Sequence, residues 1–445
     1  MHEAAPAGAA WSVAEVDAFL VASTGGAPAA SAVPAHVAEG HAAAGHEAMG
    51  HGGIARLEGS GTAWLPAAAP MEAVHPSAGA WTVMIHGAAF PRYTTQDAFG
   101  AGSRGDAAFG APNWAMGMAR RRVGSGELGL HAMLSLDPLT EGGNGYPLLF
   151  QSGETFESER LVDRQHPHDL FSELAVSYTH PLTDRTAVFG YLGYPGEPAV
   201  GPIAFLHRPS ARYNADSPLS HHWHDATHVV FGVATLGVAT GPVKVDASVF
   251  TGREPGEERL GFDRPRFDSY SARATWAASD RLVFHAARAF LREPESLEPG
   301  VDQWRTTASA LYSAPVGAGG DVSLAIVWGA NDLRPGDGVE HHAGVQHAVL
   351  GEATLRLGPN ALYGRAEFAQ KSAEELDLDD EELHDLVFGI GSLTLGAARH
   401  VAAFGPVTAA LGAQGTIFAV PEDLQPLYGT SPVGLQVYLR FALDD

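Results

Sequence analysis

The feature that most constrains this fold is an alternation of apolar and polar residues that recurs from Trp81 to Phe441. In VKVDASVF, residues 243–250, every second side chain is apolar up to Val249, and Lys244 and Asp246 lie between them. A period of two predicts strands with one apolar and one polar face. The chain contains no apolar run of about 20 residues, the length of a membrane helix. Any membrane-spanning structure in this chain is therefore a barrel.

Sixteen such segments can be counted, and short turns alternate with long loops between them. Turns such as GSG (124–126) and PLTD (181–184) alternate with loops such as 136–170 and 194–224. This is the layout of an outer-membrane barrel with its short turns in the periplasm. A soluble β-sandwich shares the period of two but seldom keeps this regular exchange of turns and loops. The predicted strands begin near residues 80, 113, 126, 171, 185, 226, 242, 268, 281, 304, 321, 345, 360, 385, 405 and 432.

The sequence thus predicts an all-β fold, a transmembrane antiparallel β-barrel of about 16 strands over residues 76–445, preceded by a different segment. Residues 1–75 are rich in Ala, Gly and His and predict a flexible N-terminal segment, with a short helix possible at 12–22. This tail either captures metal loosely or is a solvated linker. Its candidate ligands are His36, His41, His46, Met49 and His51.

Composition excludes several functional classes. The chain has no cysteine, so disulfides, thiolate metal sites and cysteine nucleophiles are ruled out. The net charge of −24 argues against nucleic acid, because phosphate binding needs a basic surface. Met1 is followed by neither a basic nor an apolar signal region, so a signal peptide is absent from this numbering. We expect a bacterial outer-membrane location, with membrane lipid, lipopolysaccharide and a small ion or solute as partners, and a homotrimer.

Two loop motifs combine histidine with aspartate, RQHPHDLF at 164–171 and SHHWHDATH at 220–228. Imidazole and carboxylate together suit zinc, copper(II), nickel or iron. Hydrogen bonds that lock the loops over the barrel mouth are the alternative, and a hydrolase using Ser220 is a third, although the chain lacks a G-x-S-x-G elbow. The predicted mouth ligands are His166, His168, Asp169, His221, His222, His224, Asp225 and His228.

These motifs also carry a family resemblance. GYPLLFQSGETF, DRQHPHDLF, GEPAVGPIAFLHRPSA and PLSHHWHDATH resemble signatures of an uncharacterised family of bacterial outer-membrane β-barrel proteins, over most of the chain from about residue 61. That resemblance implies a barrel and has no established activity attached to it. The tail GHEAMGHGG is similar in composition to the His/Met-rich leaders of copper-resistance outer-membrane proteins. The two likenesses together imply an association with metal.

Face assignment predicts two further sets of residues on the lumen wall. Thioether with imidazole suits Cu(I) or Ag(I), although methionine also fills gaps in packing, and a register slip of one residue would turn the set toward lipid. The soft-ligand candidates are Met84, His86, Met116, Met118, His131 and Met133. Charges that would keep the lumen wet and set its selectivity are Lys244, Asp246, Arg273, Arg365, Glu367 and Arg440.

The functional hypothesis is a porin-like outer-membrane channel or transport protein associated with transition-metal handling of the copper type. The implied cofactor is a transition-metal ion, copper or zinc. Two alternatives stay open at this point. One is a barrel hydrolase that uses the His/Asp mouth, which we favour less, and the other is a structural barrel closed by its own loops.

Overall fold

A closed barrel of sixteen antiparallel strands forms the body of the protein. The computed structural model describes residues 57–339, 344–378, 382–383 and 385–444. Each strand pairs with its neighbours in the chain, and the last strand closes the barrel against the first. The predicted all-β barrel of about 16 strands is confirmed. Among the described residues, no helix has the length and apolar character needed to span a membrane.

The bounds of the strands follow the predicted alternation closely. The first two strands are each interrupted once, at Pro91 and at Pro112, because proline has no N–H to donate to a neighbouring strand. The barrel strands are β1 (Trp81–Ala89 with Arg92–Thr95), β2 (Ala107–Gly110 with Asn113–Val123), β3 (Gly126–Leu134), β4 (Phe171–Pro181), β5 (Thr186–Gly193), β6 (Val233–Thr240), β7 (Val243–Phe250), β8 (Ser269–Ser279), β9 (Leu282–Leu291), β10 (Val301–Val316), β11 (Gly320–Pro335), β12 (Gly344–Leu357), β13 (Asn360–Ser372), β14 (Val387–Phe404), β15 (Val407–Ala419) and β16 (Val433–Leu443).

Short elements fill the connections. The strand predicted near residue 226 begins only at Val233, because Ala226–His228 forms a 3-10 turn instead. An inner hairpin, Tyr146–Phe156 paired with Glu159–Gln165, lies in the loop before β4. The remaining elements are the helices α1 (Asp137–Thr140), α2 (His221–His224) and α3 (Gln425–Tyr428), the 3-10 turns Phe205–His207 and Glu422–Leu424, and the short strands Leu57–Glu58, Trp64–Leu65 and Ser77–Ala78.

The two faces of the strands carry opposite chemistry, as predicted. On β7 the side chain of Val245 is exposed on the outer surface, whereas Lys244 and Asp246 are buried inside. Leu236 and Ile326, on other strands, are among the large apolar residues exposed on the described surface. An apolar exterior around a polar interior is the architecture of bacterial outer-membrane proteins.

Segments of the chain itself fill the interior of the barrel: the inner hairpin packs against the wall, and two further segments extend along the lumen. The lumen loop, residues 194–232 between β5 and β6, is almost wholly buried. It enters at the long-loop end and reaches the other end, where Arg212 pairs with Asp321 just beyond the short turn before β11. The inner segment, residues 59–73, comes from the short-turn end, where the amide of Ala68 donates to the carbonyl of Asp280.

The inner segment belongs to the region predicted to be flexible. Of residues 1–75 the structure describes those from Leu57 onward, and Ala63, Trp64 and Leu65 are buried inside the barrel. They are held there because Thr62 donates to Asp246 on the wall over 2.7 Å and Ser60 donates to Glu197 of the lumen loop over 2.5 Å. The predicted helix at 12–22 lies outside the described residues.

The lumen charges face inward as predicted, but they contact protein segments in place of an open aqueous pore. Arg273 pairs with Asp246 at 2.8 Å and also donates to Thr62. Lys244 donates to the carbonyl of Thr62. The other predicted charges are used in the same way: Arg365 donates to Glu352 and to the carbonyl of Asp216, Glu367 accepts from Ser220, and Arg440 pairs with Glu72.

Arg208 of the lumen loop should be needed to hold the loop in the barrel. Its guanidinium lies 2.7 Å from Asp225 and 2.6 Å from Glu352, and all three side chains are buried. We expect Arg208→Met to lower the free energy of unfolding by about 3–5 kcal/mol, because it leaves buried carboxylates without their counter-ion. Urea unfolding in detergent followed by tryptophan fluorescence would measure this. The control Arg334→Met removes an exposed pair with Asp332 and should change little.

Candidate metal centre

The two histidine motifs meet at the long-loop end of the barrel. One precedes β4 and the other occupies α2 and the 3-10 turn after it. Ring centroids of His166 and His221 lie 6.2 Å apart, those of His166 and His222 6.0 Å, and those of His168 and His228 5.3 Å. The histidine cluster is His166, His168, His221, His222 and His228, and all five side chains are buried.

An oxygen atom lies near one ring nitrogen of every histidine in the cluster. For His168, His221 and His228 this contact is a hydrogen bond at Nδ1, which fixes the ring orientation and leaves Nε2 as the atom that can bind a metal. Neither ring nitrogen of His222 has a hydrogen-bond partner in the described structure. The buried Nε2 atoms of His168, His222 and His228 have no hydrogen-bond partner within the described structure. The Nδ1 atoms lie 3.2 Å from Glu154 (His166), 2.8 Å from Asp137 (His168), 2.7 Å from Asp225 (His221), 3.1 Å from Glu254 (His222) and 2.8 Å from the carbonyl of Asp225 (His228).

Burial keeps these imidazoles in the neutral form that binds metals. It lowers the pKa of His221 and of His222 to about 4 and that of His228 to about 3. For Asp225 burial works against ionisation, but the charge of Arg208 and the hydrogen bond with His221 outweigh it, and the pKa stays well below its usual range. The cluster therefore combines neutral nitrogen ligands with an ionised carboxylate beside them.

A second group of ligand atoms adjoins the cluster at His222. One ligand atom each of His222, Glu254 and Glu295 can be chosen so that all lie within 4.8 Å of one another. Burial raises the pKa of Glu254 to about 7 and that of Glu295 to about 8. The inner hairpin approaches this ring closely, because Gly153 has a φ of +110° and a Cβ at this position would lie 2.2 Å from Cε1 of His222.

Three predicted residues take other roles. His224 points to the barrel wall, where its Nε2 lies 3.4 Å from the carbonyl of Ala348. Asp169 lies 3.5 Å from Arg259. The hydroxyl of Ser220 donates to Glu367 over 2.9 Å, so its single proton is directed to a carboxylate and not to a histidine base. The serine–histidine pair of a hydrolase is therefore not formed here.

The soft-ligand candidates lie together on the lumen wall. Register pairs Met84 with Met118 and His86 with Met116 across β1 and β2, and the buried methionines pack together. His131 shares the row of Met118 but lies 3.7 Å from Glu173. The tail candidates His36, His41, His46, Met49 and His51 lie outside the described residues.

Sequence reasoning missed the carboxylates around the cluster. Asp137, Glu154, Glu254 and Glu295 come from three different loops, and none has a neighbour in the sequence that marks it as a ligand or a partner of histidine. His207 was missed as well, although the 3-10 turn of the lumen loop places it against the methionines. Only the folding of long loops into the lumen brings these groups to one place.

Comparison with known proteins gives a general likeness to porins. No family model matches the sequence, and no curated protein is significantly similar to it. OmpF of Salmonella typhi in complex with daunomycin is 11% identical over 83% of this chain and 100% of its own, with a TM-score of 0.49. The anion-selective porin from Comamonas acidovorans is 12% identical over 82% and 100%, with a TM-score of 0.46. The fold assignment rests on the closed strand order itself.

Replacing Glu295 should change how stability depends on pH. Its folded pKa of about 8 exceeds the ordinary 4.5, so the folded protein binds more protons than the unfolded chain between these values and loses stability as pH rises through them. We expect Glu295→Gln to match the wild type near pH 5 and to be more stable above pH 8. Thermal unfolding in the presence of a chelator would measure both.

The control for this experiment is Glu257→Gln. Glu257 is exposed in the same loop as Glu254, and hydrogen bonds from Thr155 and Ser158 lower its pKa. This variant should therefore gain no stability at high pH. Equal melting curves for Glu295→Gln and wild type at pH 9 would contradict the raised pKa of Glu295.

Proposed function

We propose that this protein is a gated outer-membrane transport barrel that binds a divalent transition-metal ion at its histidine cluster. The observation that carries this proposal is the cluster itself. Five buried histidines from two loops have neighbouring ring centroids 5.2 to 6.4 Å apart, and three of them have a buried Nε2 with no hydrogen-bond partner in the described structure. At one edge of the cluster, ligand atoms of His222, Glu254 and Glu295 lie within 4.8 Å of one another. A loop lock made only of hydrogen bonds would use these nitrogens, whereas a metal site needs them free.

The ligand chemistry indicates the class of ion. Neutral imidazole nitrogens with nearby carboxylates suit zinc, copper(II) or nickel better than calcium or magnesium, which prefer oxygen ligands. The group formed by His222, Glu254 and Glu295 offers a neighbouring position with more oxygen ligands. It would serve as the outer position through which an ion reaches the cluster.

The transport part of the proposal rests on a cavity beside the lumen loop. This cavity, of about 90 Å³, runs along the wall of β1 and β2 and is lined by His168 at one end and by Arg212 and Arg440 at the other. It connects the cluster with the short-turn end of the lumen. Passage of an ion requires the inner segment and the lumen loop to shift, since both contact its walls.

The metal site is tested by removing cluster nitrogens. We expect the triple variant His168→Gln, His221→Gln, His228→Gln to bind one Zn²⁺ or Cu²⁺ fewer than the wild type in calorimetric titrations in detergent, checked by mass spectrometry of retained metal. Both forms keep the N-terminal tail, so metal held there cancels in the comparison. Equal stoichiometry and affinity in both proteins would refute the site.

His224→Gln is the matched control. His224 lies on the same short helix and is equally buried, but its ring faces the wall near Ala348. It should retain the full amount of metal. Heat-modifiable mobility on gels would show that each variant still forms the barrel.

Gating is tested by removing the ion pairs that hold the lumen loop and the inner segment at the short-turn end of the barrel. Arg212 pairs with Asp321, and Arg440 pairs with Glu72 and donates to the carbonyl of Arg212 over 2.9 Å. We expect the double variant Arg212→Gln, Arg440→Gln to open more often than the wild type in planar bilayers. Arg399→Gln, an exposed side chain at the same end, is the control. A wild-type protein that already conducts steadily like an open pore would contradict a gated lumen.

The homotrimer, the lipid and lipopolysaccharide contacts, and the copper specificity stay predictions. The homotrimer and the lipid contacts concern the outer surface of the barrel, which the metal titration does not test. The titration addresses only the identity of the ion.

A further inference from the structure

We infer that the lumen contains a second ion site of different chemistry, formed by methionines of the β1–β3 wall with His86 and His207, which binds a soft monovalent cation such as Cu(I) or Ag(I). This inference extends the proposed function only where it concerns the passage of an ion between the two sites. Binding of the soft cation stands on observations of its own.

The first observation is the concentration of thioethers. Register places His86, Met116 and Met133 in one row across β1, β2 and β3, and Met84 and Met118 in the adjacent row. Side chains directly opposite on neighbouring strands have Cβ atoms about 5 Å apart. The described residues contain one further methionine, Met71, and it lines the same cavity as Met118. Four of the five methionines of the described chain thus pack together on this wall, whereas Met71 packs against Leu311 and Ala325 of other strands.

The second observation is that the lumen loop adds a histidine to this wall. Nε2 of His207 lies 3.3 Å from the sulfur of Met133. The ring centroids of His207 and His86 lie 5.4 Å apart. Two imidazoles and at least one thioether therefore converge from two independent parts of the fold.

The third observation concerns nitrogens without partners. Nε2 of His86 and Nδ1 of His207 are buried and have no hydrogen-bond partner in the described structure, and His86 as a whole is only 8% exposed. An unsatisfied buried nitrogen costs about 1–3 kcal/mol. On His207 the nitrogen that faces the thioether of Met133 is Nε2, and the unpaired nitrogen is Nδ1. Gap filling explains buried methionines, but it does not explain the unpaired Nε2 of His86 beside them.

The ligand set selects the class of ion. Thioethers and neutral imidazoles carry no charge, so they bind a soft monovalent ion with less competition from hard divalent ions. The ring of Trp114 lies 5.1 Å from that of His86 and 4.5 Å from that of His207, centroid to centroid. The apolar indole ring therefore packs edge-on against both imidazoles and shields them from water. The cavity that contains His86, His207 and Met118 also reaches His168 of the histidine cluster, so the two sites share one path.

The test uses Ag(I) as a redox-inert probe of the full-length protein in detergent. We expect M116L/M118L/M133L to bind one Ag(I) fewer than the wild type and to lose sulfur from the silver coordination shell in X-ray absorption. Leucine keeps the volume of methionine and preserves the packing. H207Q changes the lumen loop alone and should weaken Ag(I) binding about 10-fold or more.

H285Q is the control, because His285 is a buried lumen histidine that hydrogen-bonds to Thr275 on another part of the wall. It should retain the silver. Unchanged stoichiometry and affinity of Ag(I) binding in both M116L/M118L/M133L and H207Q would overturn the inference. If the leucine variant does not fold, the result for H207Q alone decides. Zn²⁺ titrations of the same proteins separate this failure from that of the proposed function. The leucine variant should bind Zn²⁺ normally, and H168Q/H221Q/H228Q should bind Ag(I) normally.

Discussion

The arrangement of the lumen depends on the buried contact between Arg208 and two carboxylates. One of them, Glu352, belongs to the barrel wall, and the other, Asp225, follows helix α2. The carboxylate of Asp225 in turn contacts the ring of His221. The backbone carbonyl of Asp225 contacts the ring of His228. A single guanidinium therefore anchors the loop to the barrel and fixes the residue that orients two histidines of the cluster. Breaking such a pair leaves buried charges without partners, so Arg208 is hard to replace.

The same need to pair buried charge explains why the lumen is filled. An inward face bearing arginine, lysine and carboxylates is stable either in water or against groups that neutralise it. In this barrel the lumen loop and the inner segment provide those groups, as with Thr62 against Asp246 and Arg273, or Glu72 against Arg440. The wall charges thereby become anchors of the two segments. The proposed movement of ions through the barrel would require exchanging these contacts for water or for the ion.

The two proposed sites differ in the ligands around the same kind of nitrogen. At the mouth each imidazole has an oxygen partner, which favours divalent ions of intermediate softness. Deeper in the lumen, His86 and His207 lie among thioethers and beside Trp114, without a carboxylate partner among their described contacts. Burial keeps the mouth imidazoles neutral, and it makes their unpaired nitrogens costly in the absence of an ion. Residues of both ligand sets, His168 of the cluster and His86, His207 and Met118 of the deeper set, line one cavity.

The sequence by itself determined the barrel, its strand number and the face of each strand, because an alternation of period two has only one way to place its apolar side toward lipid. It also predicted that Met84, His86, Met116, Met118 and Met133 share the inner wall, but a register slip of one residue stayed open until the strand pairing was known. Only the tertiary structure decided that the lumen is occupied, that His224 and Asp169 leave the cluster, and that Asp137, Glu154, Glu254 and His207 join the two sites. These residues come from long loops whose path depends on buried ion pairs between distant positions, and such pairs leave no periodic trace in the sequence.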